Sequence, residues 1–343
     1  MRERDAAHEQ LLLDLQKIVD YIEVVYRSVL YRPPTLAEAE KHAQAMYGGQ
    51  SPLEFFHGII DSQERRGLAK VFVPPGSYQS PIANPAELHA YAAGLSSVGP
   101  ALRGIALDRA AMIATWEQIV PLLATFPFPA TQTAGFRYYY ENFYFGLGDA
   151  LLLSSLLRLH APKRYIEIGS GFSSACAVDT VDAFLGGACE LTFIEPNPER
   201  LLGMLGTRTR AARVFNVPVQ AVAPALFDEL EASDILFIDS SHVMRTGSDV
   251  CFELFEVLPR LRSGVFVHIH DMHWPFDYPE DWILRQNRSY NEAYAVRAFL
   301  TDNPNWEIAF FNDYFARFEA PRIQQTFPQF SGNLGGSLWL RRR

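Results

Sequence analysis

Between Lys163 and Cys176 the chain reads Lys-Arg-Tyr-Ile-Glu-Ile-Gly-Ser-Gly-Phe-Ser-Ser-Ala-Cys, and no other stretch limits the fold so sharply. A short apolar strand, Tyr165 to Ile168, stops at two glycines spaced by one residue, and helix-forming residues follow at once. Glycine lets the backbone turn sharply and lets a ligand come within contact of the main chain. A helix opening near Phe172 to Ser174 aims free N–H groups and its positive dipole end at the same spot. Strand, glycine turn and helix in this order make a nucleotide-type cradle at the mouth of a parallel sheet.

From Arg164 onward strand and helix patterns alternate. Strands are expected near 164–168, 190–195, 212–216, 234–239, 264–270, 306–312 and 336–341. Helices are expected near 172–185, 197–206, 222–231, 246–259 and 291–302. The runs Leu191-Thr-Phe-Ile and Ile235-Leu-Phe-Ile are continuously apolar, as in parallel strands covered on both faces. The fold class is therefore α/β, a doubly wound, mostly parallel sheet of seven strands, with a helical N-terminal extension.

A pyrophosphate cradle normally carries Gly-x-Gly-x-x-Gly, yet Ser174 holds the third glycine position and Glu167 precedes the first glycine by two. A carboxylate there repels phosphate and suits a cation. The form Glu-x-Gly-x-Gly resembles the first motif of the class I S-adenosylmethionine-dependent methyltransferases. That resemblance implies that Glu167, Gly169, Ser170, Gly171 and Ser173 hold the amino-acid end of a sulfonium cofactor, S-adenosylmethionine. It also implies that the two closing strands, joined by a long loop from Asn312 to Ser337, form an antiparallel hairpin.

Ligands of such sheets sit at the carboxyl ends of the strands, so the residue ending each strand matters. The second strand ends at Glu195-Pro196, where an acid has the geometry to accept from both ribose hydroxyls. The third leads to Pro218-Val-Gln220-Ala221, where methyltransferases of this type contact adenine; Gln220 serves the base edge or is an exposed loop glutamine. The fourth ends in Asp239-Ser-Ser-His242. This Asp-x-x-His, with Leu258-Pro-Arg-Leu-Arg-Ser-Gly264 beyond it, resembles a bacterial family related to macrolide-sugar O-methyltransferases and to cephalosporin hydroxylase-like proteins. Gly76-Ser-Tyr-Gln-Ser-Pro-Ile and Gly335-Gly-Ser-Leu-Trp-Leu-Arg-Arg fit the same family, apart from Ser77, where histidine is expected.

The fifth strand ends in His268-Ile-His270-Asp271-Met-His273. Alternation along a strand end puts at most two of these histidines on one face, His268 reads as buried structure, and no zinc spacing results. Methyl transfer from sulfonium to oxygen needs an in-line approach and a hydroxyl that loses its proton. The resemblance makes Asp239 and Asp271 ligands of a divalent cation such as Mg²⁺, which lowers the hydroxyl pKa, and makes His242 the general base. The residues leave other roles open: Asp239 binding the cofactor's amino group, Asp271 capping the turn before Trp274-Pro275. The aromatic loop Pro275–Glu292 and the patch Tyr138–Phe145 form an acceptor pocket, or pack helices onto the sheet.

Upstream, residues 8 to about 70 read as helices, with Leu11, Leu12, Leu13, Leu15, Ile18, Val19 and Ile22 near helical spacing. Thr35 and Ser51 begin capping boxes. Tyr26 through Glu64 resembles a small helical domain often fused to bacterial glycan-modifying and secreted proteins, and these helices are also a candidate surface for homo-oligomers. The expected division is a helical module over 1–70, a Pro-rich linker and helical cap over 71–149, and a catalytic domain over 150–343.

With 39 acids against 30 bases the net charge is −9, which opposes nonspecific nucleic-acid or anionic-membrane binding. Three cysteines in no paired spacing, no signal-peptide pattern and no long apolar run indicate a cytoplasmic protein. The function expected is O-methylation of a small-molecule or glycan hydroxyl. The alternatives are a hydroxylase-like enzyme on the same fold and a noncatalytic module that binds the cofactor or a nucleotide.

Overall fold

The structure, a computed structural model, describes residues 2–30, 33–64, 73, 76–206, 212–333 and 335–343, with side chains from residue 15 onward. Residues 65–70 of the expected helical module, Pro74 and Pro75 of the linker, and the side chains of Leu11, Leu12 and Leu13 lie outside that description. The chain forms two compact units, Met1–Ile82 and Ala83–Arg343.

In the first unit three helices, Arg2–Leu30, Leu36–Tyr47 and Pro52–Ile60, close on a small core of Ile22, Val25, Tyr26, Val29, Phe55 and Ile59. The second and third helices start at the two capping boxes. Thr35 and Ser51 accept from the backbone of Glu38 and Glu54, and each glutamate accepts from the cap's N–H in return.

The second unit is built on a seven-stranded sheet in the order β3-β2-β1-β4-β5-β7-β6. Its strands are β1 (Arg164–Ile168), β2 (Glu190–Ile194), β3 (Ala212–Phe215), β4 (Ile235–Ile238), β5 (Phe266–Ile269), β6 (Trp306–Phe311) and β7 (Leu338–Arg342). Only β7 runs antiparallel, inserted between β5 and β6. The order reverses between β1 and β4, which pair in register from Tyr165–Ile235 to Ile168–Ile238. That reversal opens a crevice above the carboxyl ends of both strands. All four residues of β4 and of β5 are buried, every one of them apolar except His268.

Three expected elements differ. Residues 222–231 do not form an α-helix: Pro224–Glu229 is a 3₁₀ stretch, preceded by another at Val219–Ala221. The segment 246–259 is one α-turn, Asp249–Phe252, that widens to a π-turn over Glu253–Val257 and tightens to 3₁₀ at Leu258–Arg260, where Pro259 ends it. The connection from Asn312 to Ser337 is largely helical, with Asn312–Phe318 and Ala320–Thr326 bringing buried Tyr314, Phe315 and Ile323 against the sheet. Among the described residues no helix is long and apolar enough to cross a membrane.

Candidate active site

The loop after β1 is held at the crevice by neighbouring strands. Gly169 N–H donates to Ile194 O at 3.0 Å, and Asp239 N–H donates to Ile168 O at 2.9 Å. Gly169 has φ +79°, and a Cβ there would overlap the Asp239 carbonyl outright. Gly171 differs: it is extended, and a Cβ on it would meet only Arg200 Cδ, 3.7 Å away. Protein packing thus demands the first glycine, while the second keeps open a space that no side chain fills.

Glu167 does not face that space. It is fully buried and accepts from Tyr165 Oη at 2.9 Å, Ser173 Oγ at 2.5 Å and Ser174 Oγ at 2.9 Å, tying strand, loop and helix together. Burial pushes its carboxyl up to about 8 despite the three hydroxyls that favour the anion. Ser173 is committed to Glu167, whereas the buried Ser170 Oγ has no hydrogen-bond partner among the described residues.

Beside the loop lies a cavity of about 340 Å³ lined by Glu195, Pro196, Gln220 and Asp239. Glu195 is fixed from two sides, accepting from Ser170 N–H at 3.1 Å and Asn197 N–H at 2.8 Å. Gln220 donates to Gly247 O at 3.0 Å, which holds the loop after β3 against the loop after β4.

A second cavity of about 690 Å³ opens past Asp239, floored by His242, His270 and Asp271 and walled by Tyr144, Phe172, Trp282 and Tyr290. Ser170, Gly171 and Ser173 line its edge, so Asp239 borders both spaces. His242 Nε2 stands 3.3 Å from Asp239 Oδ1 and 3.4 Å from Asp271 Oδ2. On its other side His242 Nδ1 hydrogen-bonds Glu292 Oε2 at 2.9 Å. His270 Nδ1 faces Asp271 Oδ1 at 3.3 Å and Asp239 Oδ1 at 3.6 Å. Burial opposes charge on His242, but the hydrogen bonds with Asp239 and Glu292 outweigh it and hold the imidazole well above its usual range. His270 is raised in the same way: burial lowers it, and Asp239 and Asp149 more than compensate. His242 and Asp271 adopt left-handed backbone, φ 60° and 56°, a conformation costly for these residues and frequent at functional sites.

The structure therefore brings Glu195, Pro196, Gln220 and Asp239 around one space, and Asp239, His242 and Asp271 around its neighbour. Glu167 it sets behind the loop as a brace, while Ser173 lies at the edge of the second space with its hydroxyl bonded to Glu167. Asp239 and Asp271 are turned to the two imidazoles, and among the described residues no group of three His, Cys, Asp or Glu is arranged to hold a metal ion.

Two participants carry no motif. Glu292 lies fifty positions beyond His242 at the start of the helix Glu292–Leu300. Asp149 is buried, accepts from Gly336 N–H at 2.9 Å and Ser337 Oγ at 2.6 Å, and stands 3.5 Å from His270 Nε2. That last distance is a charge contact more than a formed hydrogen bond. His268 is buried as expected, stacked on Phe237 at 3.8 Å with Nε2 2.9 Å from Ser337 Oγ. Another cavity, about 670 Å³ beside Phe266, Glu307 and Arg341, lies at the other end of the sheet and contains none of these groups.

Residues 166–272, from β1 to just past β5, match a family model described as a methyltransferase domain. An uncharacterised protein of Archaeoglobus fulgidus is 32% identical over 174 residues, which span 50% of this chain and 78% of that one. Among solved structures, the chain is similar to the SAH-bound Podospora anserina methyltransferase PaMTH1 at 12% identity and TM-score 0.35, over 75% of this chain and 94% of that one. It is similar to the O-methyltransferase TomG of Streptomyces achromogenes at 12% identity and TM-score 0.37, over 76% and 98%. Likenesses so distant decide nothing about the site. The domain match falls on the strands whose tips build both cavities, and the chain belongs to the class I S-adenosylmethionine-dependent methyltransferases.

Proposed function

We propose that the protein transfers a methyl group to a hydroxyl oxygen of a small molecule, with His242 taking the hydroxyl proton. The observation that carries this reading is the position of Asp239 between the two cavities, with His242 Nε2 3.3 Å from its carboxylate.

The residues fit S-adenosylmethionine. The unfilled space at Gly171, the unpartnered Ser170 Oγ and the fixed carboxylate of Glu195 suit its amino-acid end and its ribose in turn. When bound, the cofactor supplies an electrophilic methyl on a cationic sulfur. Glu195 would accept from the ribose hydroxyls, and Gln220 would meet the edge of the base. Asp239 faces positive charge on the cofactor side and so holds the His242 proton less strongly. Nε2 then becomes an acceptor for the hydroxyl proton, while Glu292 keeps Nδ1–H fixed and the ring oriented. His242 would hold the hydroxyl proton while the oxygen takes the methyl that the bound cofactor would supply. No step passes through a metal. The three unpaired cysteines support a reducing, cytoplasmic setting.

Incubation with S-adenosylmethionine and a panel of hydroxyl compounds tests the reading: the product should gain one methylene in mass. His242→Ala should lower kcat by about 10²- to 10⁴-fold while S-adenosylhomocysteine binding persists. A gain of one oxygen, or full turnover without His242, would overturn it.

A further inference from the structure

Two arginines border the larger cavity, and neither has a carboxylate partner among the described residues: Arg200, at the start of the helix Glu199–Leu205, and Arg288, in the loop after β5. Each is held by aromatic rings instead. The Arg200 guanidinium lies 4.2 Å from the Tyr144 ring centre; that of Arg288 lies 3.9 Å from Trp282 and 5.6 Å from Tyr290. Arg288 Nε also donates to Gln286 Oε1 at 2.7 Å. Ring stacking of this kind fixes the guanidinium plane and leaves its N–H edges for an anion.

On the floor of the cavity Asp239, Asp271 and Glu292 are turned to the two imidazoles and not to either arginine. Both guanidiniums are therefore left without a carboxylate partner among the described residues, although the chain carries a net charge of −9. Arg200 sits above the Gly171 turn, on the side given to the cofactor's amino-acid end. Arg288 belongs to the acceptor side. Tyr290 links it to the proposed base: its ring centre is 5.0 Å from the His242 ring and 5.6 Å from the Arg288 guanidinium carbon.

Resting on the methyl-transfer reading, we infer that the acceptor is a planar hydroxy acid, its carboxylate gripped by Arg288 and its hydroxyl presented to His242. Tyr290 lines the cavity beside both groups, 5.0 Å from the His242 ring and 5.6 Å from the Arg288 guanidinium, and with Tyr144 and Phe172 makes its wall aromatic. A bidentate arginine–carboxylate pair gives the acid an advantage that its uncharged ester lacks.

The test uses the full chain saturated with S-adenosylhomocysteine, titrated by calorimetry with 4-hydroxybenzoate and 4-hydroxycinnamate and with the methyl ester of each. The acids should bind about tenfold or more tightly than their esters. Arg288→Gln should erase that preference while leaving S-adenosylhomocysteine affinity unchanged, which also reports that the variant is folded; Arg288→Lys should restore part of it. Arg200→Gln should keep the preference for acids. Equal binding of acid and ester, binding of neither, or a preference that survives Arg288→Gln would overturn the inference and leave methyl transfer standing. Failure of S-adenosylhomocysteine to bind at the outset would instead sink the methyl-transfer reading, and this inference with it.

Discussion

His242 is the residue on which the chemistry turns, and its difficulty is an excess of partners. Asp239, Asp271 and Glu292 all stabilise its charged form, yet a base must be neutral to act. Activity should therefore rise with pH as His242 loses its proton. Removing one of the anions lowers the imidazole's pKa, so in Glu292→Gln the acid limb of the kcat–pH profile should move to lower pH. A limb that stays in place or moves upward would remove Glu292 from the mechanism. Glu167 gives a second test of buried charge. Its folded pKa of about 8 lies above the ordinary carboxylate value, so its contribution to stability is fully present below the unfolded pKa. That contribution is lost as pH rises toward 8, because unfolding then releases a proton. Glu167→Gln carries no such proton, and its melting temperature relative to the native chain should climb between pH 5 and pH 8. A constant difference across that range would show that the carboxyl is already ionised in the folded state.

At the scale of elements, the loop after β1 separates a glycine kept for folding from one kept for a ligand. Gly169→Ala forces a side chain into left-handed backbone and into the Asp239 carbonyl, and should cost about 2 kcal/mol or more, read as a lower melting temperature. Gly171→Ala meets only Arg200 Cδ, so its melting temperature should change little while S-adenosylhomocysteine affinity falls; the reverse pattern would exchange the two roles. The middle strands were legible because Leu191-Thr-Phe-Ile and Ile235-Leu-Phe-Ile are continuous apolar runs, and Glu195, Asp239, His242 and Asp271 stand at strand ends where chain order alone places them together. Glu167 was misplaced because an acid beside a glycine turn reads the same whether it faces the ligand or braces the turn from behind. Only the hydroxyls of Tyr165, Ser173 and Ser174 converging on it decide the matter. Glu292 and Asp149 were illegible for another reason: their partners are brought to them by the packing of distant helices, which leaves no local spacing to read. The segment 222–231 escaped because its apolar residues suit a helix, whereas the chain takes only a 3₁₀ stretch over Pro224–Glu229.

Across the whole molecule the two units own separate cores. That of the first ends at Ile59, and the core of the second, from Ile105 to Leu340, includes the sheet and the helices Arg109–Leu123 and Leu147–His160. Every group placed around the two cavities lies in Ala83–Arg343. A hydrophobic core of this extent is what an independently folding domain requires. A chain starting at Ala83 should consequently fold cooperatively, and calorimetry should give it the same affinity for S-adenosylhomocysteine as the full chain. Its ratio of acid to ester affinity should be unchanged as well, since Arg288, Trp282 and Tyr290 come from the same unit. If the shortened chain folds but loses cofactor affinity, residues before Ala83 take part in the site, and the first unit is then more than an appended module.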